Sequence, residues 1–217
     1  MKSAFSNLDG ARIMERMITA IQEQKQYLSD IDGAIGDGDH GINMNKGFTM
    51  AREALGQDPG DLSHGLKVLS KVLLMRIGGS MGPLYGSMFK TMGNSLENHA
   101  SIDAAIFRQA LLDVKAVMER LSPARIGDKT LVDALYPAID AYVRILEEGA
   151  GFTAALKAMK VAAEEGRDAT REMVARLGRS SRLGERSRGT IDAGAASCAL
   201  ILGAVADGIT ALLSEPE

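Results

Sequence analysis

Apolar residues recur at helical spacing along most of the chain, and the breaks between these stretches are short. Asp9 is placed to cap a first helix running to about Leu28, and a second runs from about Ile42 to Leu55. Asp61 opens a third, in which Leu66, Leu69, Leu73, Leu74 and Ile77 share a face. Pro83 suits the first turn of a fourth helix ending near Leu96. Ser101 or Asp103 starts a fifth to about Leu121, Asp128 a sixth to about Glu148, and Thr153 a seventh to about Leu177. The last begins near Ala193. No stretch reads as a strand. The pattern predicts an all-α fold of eight helices, antiparallel and up-and-down because the connections are short.

In such a bundle alternate loops emerge at one end. The connections after helices one, three, five and seven are the stretch around "GDGDHG", then "GGSMGP", "SPARIGDKT" and "GRSSRLGERSRGTIDAG". These four are rich in Gly, Ser, Asp and Arg, and the topology gathers them at one pole.

Composition agrees with helices: 46% of the residues are hydrophobic, only 4% are aromatic, and there is no Trp. With 217 residues and no linker or compositional shift, a single domain over 1–217 is expected. A net charge of -3 argues against a global field that would recruit nucleic acid. The lone Cys198 forbids an internal disulfide, and the N-terminus lacks a signal-peptide core, so a cytoplasmic protein is expected. Residues 193–213 are long enough to span a membrane. Asp207 and the many Ala and Gly residues make a buried bundle helix, and no membrane span, the better reading.

"SDIDGAIGDGDHGINMN", residues 29–45, crowds Asp30, Asp32, Asp37 and Asp39 into ten positions. Like charges so close need water, a cation or protonation to relieve them. "GDGDHG" matches G-x-G-x-x-G, but no strand precedes it and two Asp residues inside it would repel a pyrophosphate. An EF-hand register from Asp37 places Gly41 at the fifth position and Phe48 at the twelfth, so it fails too. Asp32, Asp37 and Asp39 remain as hard oxygen ligands suited to magnesium beside substrate phosphates, with Asp30 an ordinary surface residue. His40 is placed to donate to a phosphate or ribose. "IGGSMGPLYGS" is the complementary piece: Gly78, Gly79 and Gly82 let backbone amides approach an anion, Ser80 adds a hydroxyl, and a helix start points there. Of the six arginines between Arg171 and Arg188, most read as a solvated or docking surface, with one or two free to clamp phosphates.

Taken together, "DGAIGDGDHGINMNKGF", "GGSMGPLYG", "IGDKTLVDALYP" and "GRSSRLGERSRGTIDAGAAS" resemble the nucleotide-binding L subunit of dihydroxyacetone kinases. The blocks stand in the family's order and span nearly the whole chain. The resemblance implies an eight-helix antiparallel barrel in which Asp32, Asp37 and Asp39 hold two Mg2+ ions on the phosphates of ATP or ADP. It also implies nucleotide contacts from His40, Gly41, Asn43, Gly79, Ser80, Met81, Thr130, Leu131, Arg179 and the turn from Asp192 to Gly194. The chain departs from the family pattern at Met81, Thr190 and Ala193.

By the same resemblance the keto-sugar sits on a separate K-type subunit, so this chain is half a kinase and no residue of it is catalytic by covalent chemistry. The phosphoryl donor is either exchangeable ATP or a resident ADP recharged by a phosphocarrier of the sugar phosphotransferase system. A homodimer stays open. So do a nucleotide-sensing module without turnover and, more distantly, a fatty-acid-kinase nucleotide domain.

Overall fold

The computed structural model describes residues 2–216. Nine α-helices stand among them: α1 (Ala11–Glu23), α2 (Lys25–Ile35), α3 (His40–Gln57), α4 (Leu62–Arg76), α5 (Met81–Leu96), α6 (Ala104–Leu121), α7 (Val132–Glu147), α8 (Phe152–Ala169) and α9 (Ala193–Ser214). Short 3-10 segments cover Thr170–Glu172 and Arg179–Ser187. Successive helices from α3 to α9 pack side by side, and both α3 and α9 pack against α1, which closes the ring. Ile13, Met17, Phe48, Leu69, Phe89, Leu111, Leu135 and Ile209 are among the side chains that fill it, each at most 1% exposed.

The all-α expectation holds, with three corrections. The first predicted helix is two, broken at Gln24, whose φ of -97° and ψ of 10° end α1 and start α2. It also runs on to Ile35, so Asp30 and Asp32 sit on helix α2 and not in a loop. Helix α8 stops at Ala169 and not near Leu177, because Thr170 turns its hydroxyl back to the Arg167 carbonyl at 2.6 Å. Finally, two strands exist. Ala4–Ser6 (β1) pairs antiparallel with Ser101–Asp103 (β2), Phe5 opposite Ile102. Three residues per strand are too few for an alternating pattern to stand out in sequence.

Caps explain several boundaries. Asp61 accepts from His64 N at 2.8 Å, and Asp103 accepts from Ala105 N and Ile106 N at 2.9 and 2.8 Å. Asp9 caps nothing: Gly10 holds the N-cap position of α1. Asp128 bonds Arg125 N instead of starting α7, which begins at Val132.

Helix α9 is the one described helix long and apolar enough to cross a membrane, and 72% of its most hydropathic window is buried inside the bundle. Asp207 on it pairs with Lys160 at 2.7 Å.

Contacts fix which ends lie together. The first turn of α9 touches His40 at the start of α3, Tyr85 in the first turns of α5, and Leu131 at the start of α7. Helices α3, α5, α7 and α9 therefore begin at one pole. At the other, Asn7 after β1 is 3% exposed and donates to Ser63 Oγ, Leu96 O and His99 O, while Phe5, Phe107, Tyr142 and Phe152 form an aromatic cluster with centroids 5.5 to 6.4 Å apart.

Candidate nucleotide and metal site

Ile35 ends α2, and only Gly36 to Asp39 separate it from α3. Gly38 sits at φ 75°, a left-handed conformation that a β-carbon disfavours. At Gly41 a β-carbon would lie 2.1 Å from the Lys25 carbonyl oxygen, so α3 can cross α2 this closely only with glycine there. That crossing folds the chain back on itself and brings Asp37 and Asp39 over Asp32. Ligand oxygens of these three all lie within 4.8 Å of one another. Asp30 stays outside, exposed on α2 and bonded to Gln26 at 2.7 Å.

Asp39 is the N-cap of α3, yet its carboxylate makes no cap bond, and Ser80 at the N-cap of α5 likewise leaves its hydroxyl uncommitted. Three carboxylates are left facing one point. Arg179 answers them: its guanidinium pairs with Asp37 and stands 3.7 Å from Asp39. One arginine neutralises one of three charges, and the Asp37 and Asp39 side chains remain about half exposed. The donor set is all hard oxygen, which fits magnesium: Asp32, Asp37 and Asp39 are the residues that would hold it.

His40 continues the site inward. Its amide reaches Asp32 Oδ2 at 3.3 Å, and its Nε2 lies 2.8 Å from Ser197 Oγ. Burial pushes the imidazole pKa down to about 4, against the pull of Asp32, so the ring is neutral at pH 7. Ser197 in turn lies 2.7 Å from the Tyr85 hydroxyl, which donates to Gly194 O at 2.9 Å. Neither Tyr85 nor Ser197 was visible as a site residue in sequence, since they lie 45 and 157 positions from His40.

A second buried network shapes the third and fourth loops. Asp133, 1% exposed, accepts from Gly127 N at 2.5 Å and Thr130 N at 2.7 Å. Burial raises its carboxyl pKa, and these backbone bonds oppose the rise. Lys129, at φ 62° and 1% exposed, donates to Thr170 O, Met173 O and Thr190 O at 2.8, 3.3 and 2.5 Å. Burial lowers its pKa. Asp192 caps α9 through Ala195 N at 2.8 Å, and burial pushes its carboxyl up to about 7. Lys129 thus ties the 127–131 turn to the carbonyl of Thr190, two residues before this cap.

Among the remaining expected residues, Leu131 is 7% exposed and Gly194 lies against it. Thr130 accepts from Val132 N at 3.3 Å. Asn43 is half-buried one turn into α3, while Gly79 at φ 70° and Ser80 stand exposed and Met81 half-buried at the start of α5. Of the arginine-rich segment, Arg176 pairs with Asp128 at 3.5 Å and Arg188 with Glu185 at 3.1 Å, and Arg182 and Arg186 are exposed. The segment is therefore less of a free surface than its composition suggests. A groove of about 430 Å3 between α1, α8 and α9 includes none of the site residues.

A family model described as the DAK2 domain matches residues 34–207. The chain is 35% identical to the ADP-binding subunit DhaL of a PEP-dependent dihydroxyacetone kinase from Listeria innocua, over 85% of this chain and 88% of that one. It is also 35% identical to the Escherichia coli ADP-binding subunit DhaL, over 80% and 83% of the two chains. D-erythrulose kinase of Mycolicibacterium smegmatis is 34% identical, and there the match covers 92% of this chain but only 35% of the relative. The dihydroxyacetone kinase of C. freundii, solved with AMP-PNP and Mg2+, superposes with a TM-score of 0.65 at 24% identity, over 91% of this chain and 33% of that one. All four relatives are kinases or kinase subunits. On the matched residues and on these identities over most of two full-length subunits, the chain belongs to the DAK2-domain family of dihydroxyacetone kinase L subunits.

Proposed function

We propose that this protein is the nucleotide-binding subunit of a short keto-sugar kinase. Asp32, Asp37 and Asp39 would hold two Mg2+ ions with the phosphates of ATP, or of a resident ADP once a phosphocarrier has recharged it to ATP, and the chain would present the γ-phosphate to a hydroxyl of dihydroxyacetone or a related triose or tetrose held on a K-type partner. The observation that carries this reading is the carboxylate triad, within 4.8 Å, at the pole where four helices begin. Helix starts favour an anion, and three clustered carboxylates repel one; cations between them reconcile the two.

When bound, the ions would neutralise phosphate charge and orient the polyphosphate. The chain's own part is positional. Gly41 lets α3 sit where its first turn faces the triad, and Lys129 and Asp133 hold the third loop in register with Asp192. The Ser80 hydroxyl and the amides of Met81 and Gly82 at the start of α5 are left as donors for a phosphate, whereas Pro83 has no N–H and Leu84 N donates to Ser80 O. Arg179, already drawn to the acidic cluster, is placed to transfer its guanidinium to phosphate oxygens.

Titration calorimetry of ADP with and without Mg2+ tests the binding half; the expected result is affinity that depends on the metal. Mixing the protein with K-type subunits and following ATP consumption, or consumption of a phosphocarrier's phosphate, across short ketoses tests the catalytic half. Metal-independent binding, or no turnover with any partner or donor, would contradict the corresponding half. Retention of ADP through dialysis would favour the resident-cofactor route.

A further inference from the structure

Among the described residues Lys129 is the one non-glycine with a positive φ, 62°, and it is 1% exposed. Both features cost stability: a left-handed backbone crowds the β-carbon, and a buried ammonium loses its water. Contacts offset them. The three protons of Nζ meet three backbone carbonyls, Thr170 O at 2.8 Å, Met173 O at 3.3 Å and Thr190 O at 2.5 Å. Thr170 is the C-cap of α8, where a cation is favoured.

These carbonyls belong to the two feet of one excursion of the chain, from the end of α8 to the start of α9. The feet bond each other: Gly189 N donates to Arg171 O at 2.7 Å, Ala175 N to Ser187 Oγ at 2.9 Å and Asp192 N to Thr170 Oγ1 at 3.0 Å. Lys129 does something else, joining both feet to the turn before α7. One neighbouring bond shares this task on one side, from Arg176 N to Asp128 O at 3.1 Å. Beyond the feet, Gly178 at φ 72° leads the chain into Arg179–Ser187, which packs on α2 and brings Arg179 to Asp37 and Asp39. The bonds between the feet fix the shape of the excursion, and the tie to the turn fixes where it points.

We propose that Lys129 is a positioning residue for Arg179: by tying both feet of the excursion to the turn before α7, it aims that guanidinium at the carboxylate triad and the phosphates held there. This rests on the metal and nucleotide reading above. Without nucleotide, Arg179 competes with a cation for Asp37; with nucleotide, it supplies a phosphate contact. Freeing Arg179 therefore strengthens binding of the metal alone and weakens binding of metal with nucleotide. A residue that only props up the fold would weaken both when removed.

The test compares Lys129→Met, Arg179→Ala and the double variant in two titrations. Mn2+, as a probe for Mg2+, is titrated into nucleotide-free protein and followed by electron paramagnetic resonance; ADP with Mg2+ is followed by calorimetry. For Mn2+ alone, each single variant is expected to tighten binding about twofold to fivefold, the scale of a half-exposed ion pair. For ADP with Mg2+, each is expected to weaken binding about tenfold, the scale of a charged hydrogen bond. The double variant should match the single ones in both, because the two residues act in one line. Weaker or unchanged Mn2+ binding in either single variant, or an additive loss of about a hundredfold for ADP in the double variant, would overturn the proposal.

Hydrogen exchange of the ligand-free protein follows the tie itself. Lys129→Met is expected to speed exchange over residues 170–190, the Arg176 amide included, and to leave α3 and α5 as in the wild type. Unchanged exchange over 170–190, or faster exchange throughout, would overturn the proposal. Should Lys129→Met not fold, Lys129→Gly removes the same tie while easing the backbone, with the same outcomes expected. Wild-type protein that binds Mn2+ but not ADP would sink the nucleotide reading and leave the Mn2+ and exchange results to judge Lys129.

Discussion

The two ends of this bundle are built to opposite rules. At the ribbon end, Asp61 and Asp103 spend their carboxylates on the first-turn amides of α4 and α6. Asn7 donates to two carbonyls and a hydroxyl and accepts the Ser63 amide at 3.3 Å, and four aromatic rings close over the space between. Polar groups there are satisfied locally. At the acidic end the N-cap side chains Asp39 and Ser80 bond no amide, three carboxylates converge, and a single arginine offsets part of their charge. The same device, an acidic or hydroxyl N-cap, completes α4 and α6 at one pole; at the other it still closes α9 through Asp192 but is left open at the starts of α3 and α5.

Substitutions can break this division. The largest expected effect is on binding: Asp37→Ala should lower Mg2+-dependent ADP affinity on the order of a hundredfold by calorimetry. Its thermal midpoint without ligand should not fall. Removing one of three like charges relieves repulsion, and the lost ion pair with Arg179 is about half exposed. At the ribbon end the effects should exchange. Asn7→Ala strips the donor from Ser63 Oγ, Leu96 O and His99 O and should cost about 2 kcal/mol in chemical denaturation, with ADP affinity unchanged.

A subtler effect concerns pH. Folding raises the Asp192 pKa to about 7, from about 3.9 for an unperturbed Asp. The folded state therefore holds an extra proton between about pH 4 and 7, and this group's contribution to stability is lost as pH rises through that window. Asn caps a helix as well as Asp does. Asp192→Asn should therefore gain stability relative to the wild type from about pH 4 to 7 and run parallel to it above, as read from thermal midpoints across pH.

Sequence alone reveals what local chemistry decides. Asp61 and Asp103 were readable as caps because the signal and its partner lie within three residues, although the same signal at Asp9 and Asp128 caps no helix. The triad was readable because Asp32, Asp37 and Asp39 sit close in the chain, and the gathering of four helix starts followed from counting short connections. The break at Gln24 left no mark, since "IQEQKQYL" contains neither Gly nor Pro. Nor did the role of Lys129, whose three carbonyl partners lie 41 to 61 positions away. A buried lysine held by backbone carbonyls shows no charge pattern, and a His–Ser–Tyr chain across three helices has no spacing to read.

The most direct measurement is an anomalous difference map from crystals grown with Mn2+, standing in for Mg2+, and ADP. Two peaks bonded to the carboxylates of Asp32, Asp37 and Asp39 and to phosphate oxygens, with Arg179 moved off Asp37, is the result this account predicts. A map with ADP bound elsewhere, or with no metal at those carboxylates and the Arg179 pair intact, would contradict it.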